Sequence, residues 1–386
     1  MRHLVVFCHL RWDFVYQRPQ HLLSRLARHF KVHVIEEPML CEGDAWLERV
    51  DAAEGVTVLK PHTPIDTRGF DDAQQPLLLQ LIADYMKVQA IDECIAWLYT
   101  PMAMPLLQAL PARSVVFDCM DELSAFKGAP AQLRRREAEL MQRADLVLTG
   151  GPSLYEARRD LHPNVVCLPS AVDAAHYAPT GAAPRADADG GLQAHLARPR
   201  LGFFGVIDER LDIGLVDALA AADPRWQVVM VGPVVKIDPA SLPQRPNIHW
   251  LGQQPYARLP ALVAGWDVCL LPFALNESTR FISPTKTLEY MAADKPVVGT
   301  PVRDVVAMYD GVVRIGHDPG EFIAACRAAL QEDALARAER ETRMRAIVAR
   351  SSWDAAAARV HAALDALHPT RQPDASPARI REVAWN

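Results

Sequence analysis

Between apolar residues 268–272 and 296–299 the chain sets Thr285, Lys286, Thr287 and Glu289. Two hydroxyls and an ammonium fall together, with a carboxylate one helical turn further on. Ser283 is a favourable N-cap and Pro284 a favourable first helical residue, so the spacing predicts a helix over 284–293. Its first turn leaves backbone N–H groups unpaired at the positive end of the helix dipole, which suits an anion. Glu289 lies three residues past Lys286 and four past Thr285, hence on the same face, where it can accept bonds from hydroxyls. A phosphate at the helix start and a diol one turn down describe a ribose diphosphate. The chemistry implied is that of a nucleotide-sugar donor, bound as substrate and not as a cofactor.

A second group lies near the N-terminus. Loop 9–20 carries Trp12, Asp13, Gln17 and Arg18, with Tyr16 among them. Aromatic faces beside amide and charged groups suit sugar rings, although packing of a loop anchored by Trp12 and Tyr16 would use the same residues. A third group is Asp118 and Asp121, just after residues 114–117. Each could hold or deprotonate a hydroxyl, or could cap the helix that follows.

These groups require elements that bring them to one edge. Residues 4–7, 32–35, 56–59, 96–99, 114–117 and 145–149 are short β-branched or apolar runs of the kind buried on both faces of a parallel sheet. Helical patterns lie between several of them, as in 19–30, 71–93 and 133–144. Strands at 201–204, 226–231, 247–252, 268–272, 296–299 and 312–315 repeat the arrangement. In doubly wound sheets ligands sit beyond the strand C-termini, so loop 9–20, Asp118, Asp121 and Gly205 all face a crevice. Gly205 closes its strand without a side chain and lets a ligand approach the backbone.

The run SPTKTLEYMAADKPVV resembles the donor-binding segment of two-domain glycosyltransferases of the GT-B fold, in the group 1 (family 4-like) set. That segment usually reads Glu-Ala-Met-Ala-x-Gly-x-Pro-Val-Val. Glu289, Ala292, Lys295, Pro296, Val297 and Val298 match it, while Asp294 replaces the glycine. RWDFVYQRPQHLL is similar to a bacterial cell-surface polysaccharide subgroup of teichuronic-acid type. The resemblance implies two facing Rossmann-like α/β domains around a cleft. It also implies transfer of a sugar from a UDP- or GDP-sugar to a hydroxyl of a glycan or lipid-linked acceptor. It points to Asp121, with Asp118, on the acceptor side, and to Trp12, Asp13, Gln17 and Arg18 around it. The family's first glutamate, facing the donor sugar, falls at Phe281, with Glu277 as a substitute. Its phosphate-binding arginine and lysine fall at Val206 and Leu211, which leaves Arg210 as the nearest cation and Lys236 as a lesser one.

The domains expected are 1–177, a linker over 178–198, a donor domain over 199–351, and a mobile tail over 368–386, with helix 352–367 returning to the first domain. With 386 residues, 50% hydrophobic and 23% charged, the chain has material for two cores. A net charge of −6 offers no basic field for nucleic acid. The seven cysteines form no C-x-x-C pair and read as reduced, buried thiols of a cytoplasmic protein. No apolar stretch is long enough to span a bilayer, although peripheral contact with the inner membrane is compatible with the basic run Arg134, Arg135 and Arg136. That run reads first as a solvated face. No dinucleotide or Walker fingerprint occurs. The pair Asp187 and Asp189 has metal-binding spacing but lies in the linker, so a metal-independent reaction is expected. Two other functions fit the same fold: a nucleotide-sugar epimerase or hydrolase, and a degenerate scaffold that only binds.

Overall fold

Leu4, Val5, Val6 and Phe7 are wholly buried, as a strand must be when helices cover both its faces. In the computed structural model, which describes residues 1–178 and 191–367, this run is β1 (Arg2–Cys8) at the centre of the first sheet. α1 (Arg18–Leu26) and β2 (Phe30–Glu36) follow it. Three strands at that end of the sheet come next, β3 (Met39–Leu40), β4 (Trp46–Ala53) and β5 (Val56–Thr63), before α2 (Gln75–Val88) and β6 (Cys94–Leu98). β7 (Ala112–Cys119), α3 (Leu133–Arg143), β8 (Leu146–Thr149), α4 (Pro152–Arg158) and β9 (Val165–Cys167) complete the sheet. Its order is β3-β5-β2-β1-β6-β7-β8-β9, with β4 antiparallel on β5. Sequence reasoning left β3 and β4 unassigned. β4 is a half-exposed edge strand holding Glu48, Arg49 and Asp51, so it lacks the apolar run of its buried neighbours.

A short turn of helix, α5 (Ala174–Tyr177), leads out of the first domain. The second domain is a six-stranded sheet, every paired strand parallel, ordered β12-β11-β10-β13-β14-β15. Its elements are β10 (Arg200–Phe204), α6 (Ile213–Ala222), β11 (Gln227–Val231), β12 (Ile248–Trp250) and α7 (Leu259–Ala264). After them come β13 (Val268–Leu271), α8 (Lys286–Ala292), β14 (Val297–Gly299), α9 (Arg303–Tyr309) and β15 (Arg314–Ile315). α10 (Pro319–Leu330) and α11 (Ala334–Ala349) close this domain. Then α12 (Trp353–Ala366) packs on α1, burying Trp353, Val360 and Leu364 among the side chains of the first core.

Several expectations need correction. The expected linker is not loose throughout: Gln193 is buried, receives the Trp266 indole N–H at 3.0 Å and donates to the Leu262 carbonyl at 2.9 Å. Residues 179–190 and the tail 368–386 lie outside the described residues. The arginine run is not a uniformly solvated face either. Arg136 is buried and bonded to Asp72 and to the carbonyls of Phe70 and Met102, while Arg135 stays exposed. Among the described residues no helix is long and apolar enough to cross a membrane.

Candidate active site

The two sheets present their strand C-termini to one another across a cleft of about 790 Å³. Its first-domain wall is the loop after β1, from Trp12 to Arg18, with Met120, Asp121 and Gly150. Its second-domain wall is formed by Phe204, Gly205 and Arg210, residues 253–256, and the segment from Ile282 to Glu289. A larger hollow of about 1350 Å³ lies elsewhere, between α5, α7 and α11. It holds none of the residues expected to do chemistry, so the cleft is the candidate site.

α8 begins two residues later than expected and is seven residues long. Ser283 does not cap it; its hydroxyl points to Met308 Sδ at 3.9 Å. The end of the helix explains the replacement of glycine by Asp294. Asp294 adopts φ +56°, the left-handed region that short polar side chains tolerate. Its N–H meets the Met291 carbonyl at 3.0 Å and the Lys295 N–H meets the Tyr290 carbonyl at 3.1 Å, a Schellman closure. Arg345 pairs with both Asp294 oxygens, at 2.7 and 3.2 Å, holding the cap in place.

Lys286 reaches into the cleft along a slot lined by rings. Its Nζ lies 5.4 Å from the centre of Phe203 and 5.2 Å from that of Phe273, within cation–π range. Gly205, at φ +145°, forms the wall of that slot. Burial, reinforced by the Arg210 charge, lowers the Lys286 ammonium pKa, while Glu289, Asp208 and Asp121 oppose the shift. Glu289 is 6% exposed and lines the same cleft. Burial raises its carboxyl, and Lys286 and a hydrogen bond from Tyr177 pull it back. The Tyr177 hydroxyl donates to Glu289 Oε1 at 3.2 Å.

The two threonines separate. Thr285 lines the cleft and bonds Ser170 Oγ at 3.0 Å, bridging the domains. Thr287 is fully buried away from the cleft, so it does not join Lys286 at the wall. The aspartates separate in the same way. Asp118 is fully buried and grips Arg18 through two bonds, at 2.8 and 3.2 Å, while Arg18 also donates to the Leu168 carbonyl at 2.7 Å. Asp118 is therefore a structural anchor for the end of α1. Asp121 is half-buried on the cleft wall, and neither aspartate caps a helix. Burial raises the Asp121 carboxyl, with Arg210 and Arg18 countering.

Arg210 faces the cleft but is held by both oxygens of Asp208 through three side-chain bonds, at 2.7, 3.0 and 3.1 Å, which neutralises part of its charge. Its guanidinium sits over Phe126 of the first domain at 5.4 Å, and Lys236 lies over the same ring at 5.3 Å. Glu277 does not reach the cleft: its side chain is 80% exposed and its nearest cation is Arg280 at 3.8 Å. Phe281 lies near Arg280, outside the cleft lining. Trp12 and Gln17 line the first-domain wall, whereas Asp13 at the rim is 70% exposed and pairs with Lys60 at 3.1 Å.

Sequence reading missed an aromatic bridge. Tyr16 stacks on Tyr256 at 4.7 Å, and Tyr256 stacks on His176 at 4.1 Å. A first-domain loop, the loop 253–256 of the second domain and the turn α5 thus meet in one column. Gln253 also donates to the Phe14 carbonyl across the cleft. The only signal was the aromatic content of loop 9–20, without its partners.

Residues 198–332 match the family described as glycosyl transferases group 1. TuaH of Bacillus subtilis, described as a teichuronic acid biosynthesis glycosyltransferase, is 27% identical over 262 residues, 63% of this chain and 65% of that relative. The match thus spans a little under two thirds of the relative's length. Sucrose-phosphate synthase from Thermosynechococcus elongatus superimposes with a TM-score of 0.73 at 15% identity, covering 95% of this chain and 99% of that one. HepE of Anabaena, solved in complex with UDP and glucose, gives a TM-score of 0.66 at 16% identity over 95% and 100% of the two chains. The chain therefore has the GT-B fold, and its residues 198–332 are similar to the group 1 glycosyl transferases.

Proposed function

We propose that this protein is a glycosyltransferase that moves a sugar from a nucleoside diphosphate donor to a hydroxyl of a glycan or lipid-linked acceptor. One observation carries the reading: Lys286 and Glu289, one turn apart on α8, face the same cleft as Asp121 on the opposite wall. The likeness to TuaH supports a role in surface polysaccharide synthesis; on this reading the protein works on the cytoplasmic side, in peripheral contact with the inner membrane.

In this reading the diphosphate lies against the Lys286 ammonium, with Arg210 nearby, in the gap kept open by Gly205. The ribose diol is accepted by Glu289, and the base lies by residues 253–256. Transfer breaks the bond from the sugar's anomeric carbon to the diphosphate oxygen, which keeps the electron pair. The new bond runs from the anomeric carbon to the acceptor oxygen, whose proton leaves. Charge develops on the diphosphate, and a preoriented ammonium in a site lined by rings stabilises it more than water would. That assignment requires no metal ion. Asp121, on the far wall, holds the acceptor hydroxyl or takes its proton.

The test is calorimetric titration with UDP and with GDP, each with and without magnesium, followed by transfer assays of Glu289→Ala. Binding of one nucleotide, indifferent to magnesium, with transfer lost in the variant, is the expected result. Binding without any transfer would leave only a nucleotide-sugar scaffold, and free sugar released without acceptor would indicate a hydrolase.

A further inference from the structure

The turn α5 joins the two domains and touches each of them. Val172 takes part in a backbone bond to the Ser351 carbonyl at 2.8 Å, just before α12. Asp173 pairs with Arg25 of α1 at 3.5 Å. His176 stacks on Tyr256 and bonds its carbonyl at 3.1 Å. The next residue, Tyr177, is 3% exposed, with its ring parallel to Phe204 at 6.3 Å and its hydroxyl on Glu289 Oε1.

Glu289 presents two oxygens, and the bond from Tyr177 occupies Oε1. That donor orients the carboxylate and favours its ionised form, because an O–H bonds a charged carboxylate more strongly than a neutral carboxyl. The Tyr256 hydroxyl is also buried beside the pair; it faces the Tyr177 hydroxyl and makes no hydrogen bond to Glu289. It supplies no second clamp for Glu289, so orientation rests on Tyr177.

We infer that Tyr177 is a positioning residue for the donor ribose, acting through Glu289 and carried on the turn that connects the domains. This rests on the nucleotide-donor reading above. Tyr177 need not touch the donor; it prepares the group that does. Because its neighbours Asp173 and His176 contact opposite domains, the orientation of Glu289 depends on how the two domains are set.

The experiment compares wild type, Tyr177→Phe and Glu289→Gln as full chains, using UDP, GDP and their 2′,3′-dideoxy analogues as calorimetric probes. Phenylalanine keeps the ring between its neighbours, and a thermal melt within a few degrees of wild type verifies folding. Wild type is expected to prefer the ribose form. Tyr177→Phe should weaken the ribose form roughly tenfold, as expected for loss of a hydrogen bond to a charged group, and leave the dideoxy form unchanged. The acid limb of donor binding should also move to higher pH, since the carboxylate loses a stabilising donor. Glu289→Gln should bind the two forms alike. Equal losses for both forms in Tyr177→Phe, or no loss, overturn the inference while leaving the donor site standing. Failure of wild type to bind any of the four nucleotides overturns the donor reading itself, and this inference with it.

Discussion

The side chain of Lys286 passes Gly205 so closely that a Cβ at residue 205 would stand 2.8 Å from Lys286 Cε. Gly205 thus keeps two things that an L side chain would spoil, a φ of +145° and the track of the lysine. Gly232 sits alongside, just past the end of β11, where a Cβ would come within 1.8 Å of the Gly205 carbonyl oxygen. We expect Gly205→Ala to lower stability by about 1–3 kcal/mol from backbone strain and to weaken nucleotide binding beyond what that loss explains. Thermal unfolding and titration of the same sample separate the two effects.

Removing the ammonium with Lys286→Ala should reduce kcat/KM by roughly 10²–10³-fold, the scale seen when one donor to a developing anion is lost. Lys286→Arg should recover little, because the slot between Phe203 and Phe273 is shaped for a point charge on a thin stem. Steady-state kinetics on both variants decide this; full activity in the alanine variant would remove Lys286 from the site.

The pH dependence has a definite sign. Lys286 must be protonated to hold the diphosphate, and its pKa is lowered by burial, so donor binding should weaken on the alkaline side earlier than for a free lysine. Glu289 must be ionised to accept the diol, and its pKa is raised by burial, so the acid limb should lie above that of a free glutamate. A bell narrower than ordinary carboxyl and ammonium groups would give is expected in kcat/KM against pH. Lys286→Arg should displace only the alkaline limb.

Asp118 and Asp121, three residues apart, should fail in opposite ways. Asp118→Ala leaves the buried Arg18 guanidinium without its carboxylate and should cost about 3–5 kcal/mol of stability. Asp121→Asn should leave the melting temperature nearly unchanged and lower kcat. Equal behaviour in melts and assays would contradict this division.

Glu277→Ala should change activity by no more than about twofold, as for an exposed surface group. A large loss in a transfer assay would mean that the loop reaches the cleft in the bound state.

The pattern of legible and hidden features follows from range. Lys286 and Glu289 could be paired from sequence because helical spacing alone puts them on one face, and Asp294 because a helix end demands a left-handed residue. Parallel strands such as β1 and β7 were legible as uninterrupted apolar runs, whereas the edge strand β4 carries charges and shows none. Thr285 and Thr287 look alike in a string; only the neighbours of α8 decide that one faces Ser170 and the other the interior. Resemblance pointed to Asp121 with Asp118 beside it, but only the structure shows that Arg18, a hundred positions away, claims Asp118. Tyr177 was passed over as a donor, and the stacking of Tyr256 on His176 was missed, because their partners come from other parts of the chain.

The return of α12 to the first domain has a consequence for biosynthesis. Trp353, Val360 and Leu364 fill the same core as Leu22 and Leu26 of α1, yet more than three hundred residues are made between them. The first domain is therefore completed only after the second has been made, and until α12 arrives part of the apolar face of α1 is open. While the residues between α1 and α12 are being made, the nascent chain is exposed to aggregation, and a stop codon just ahead of α12 would damage the first domain more than the second.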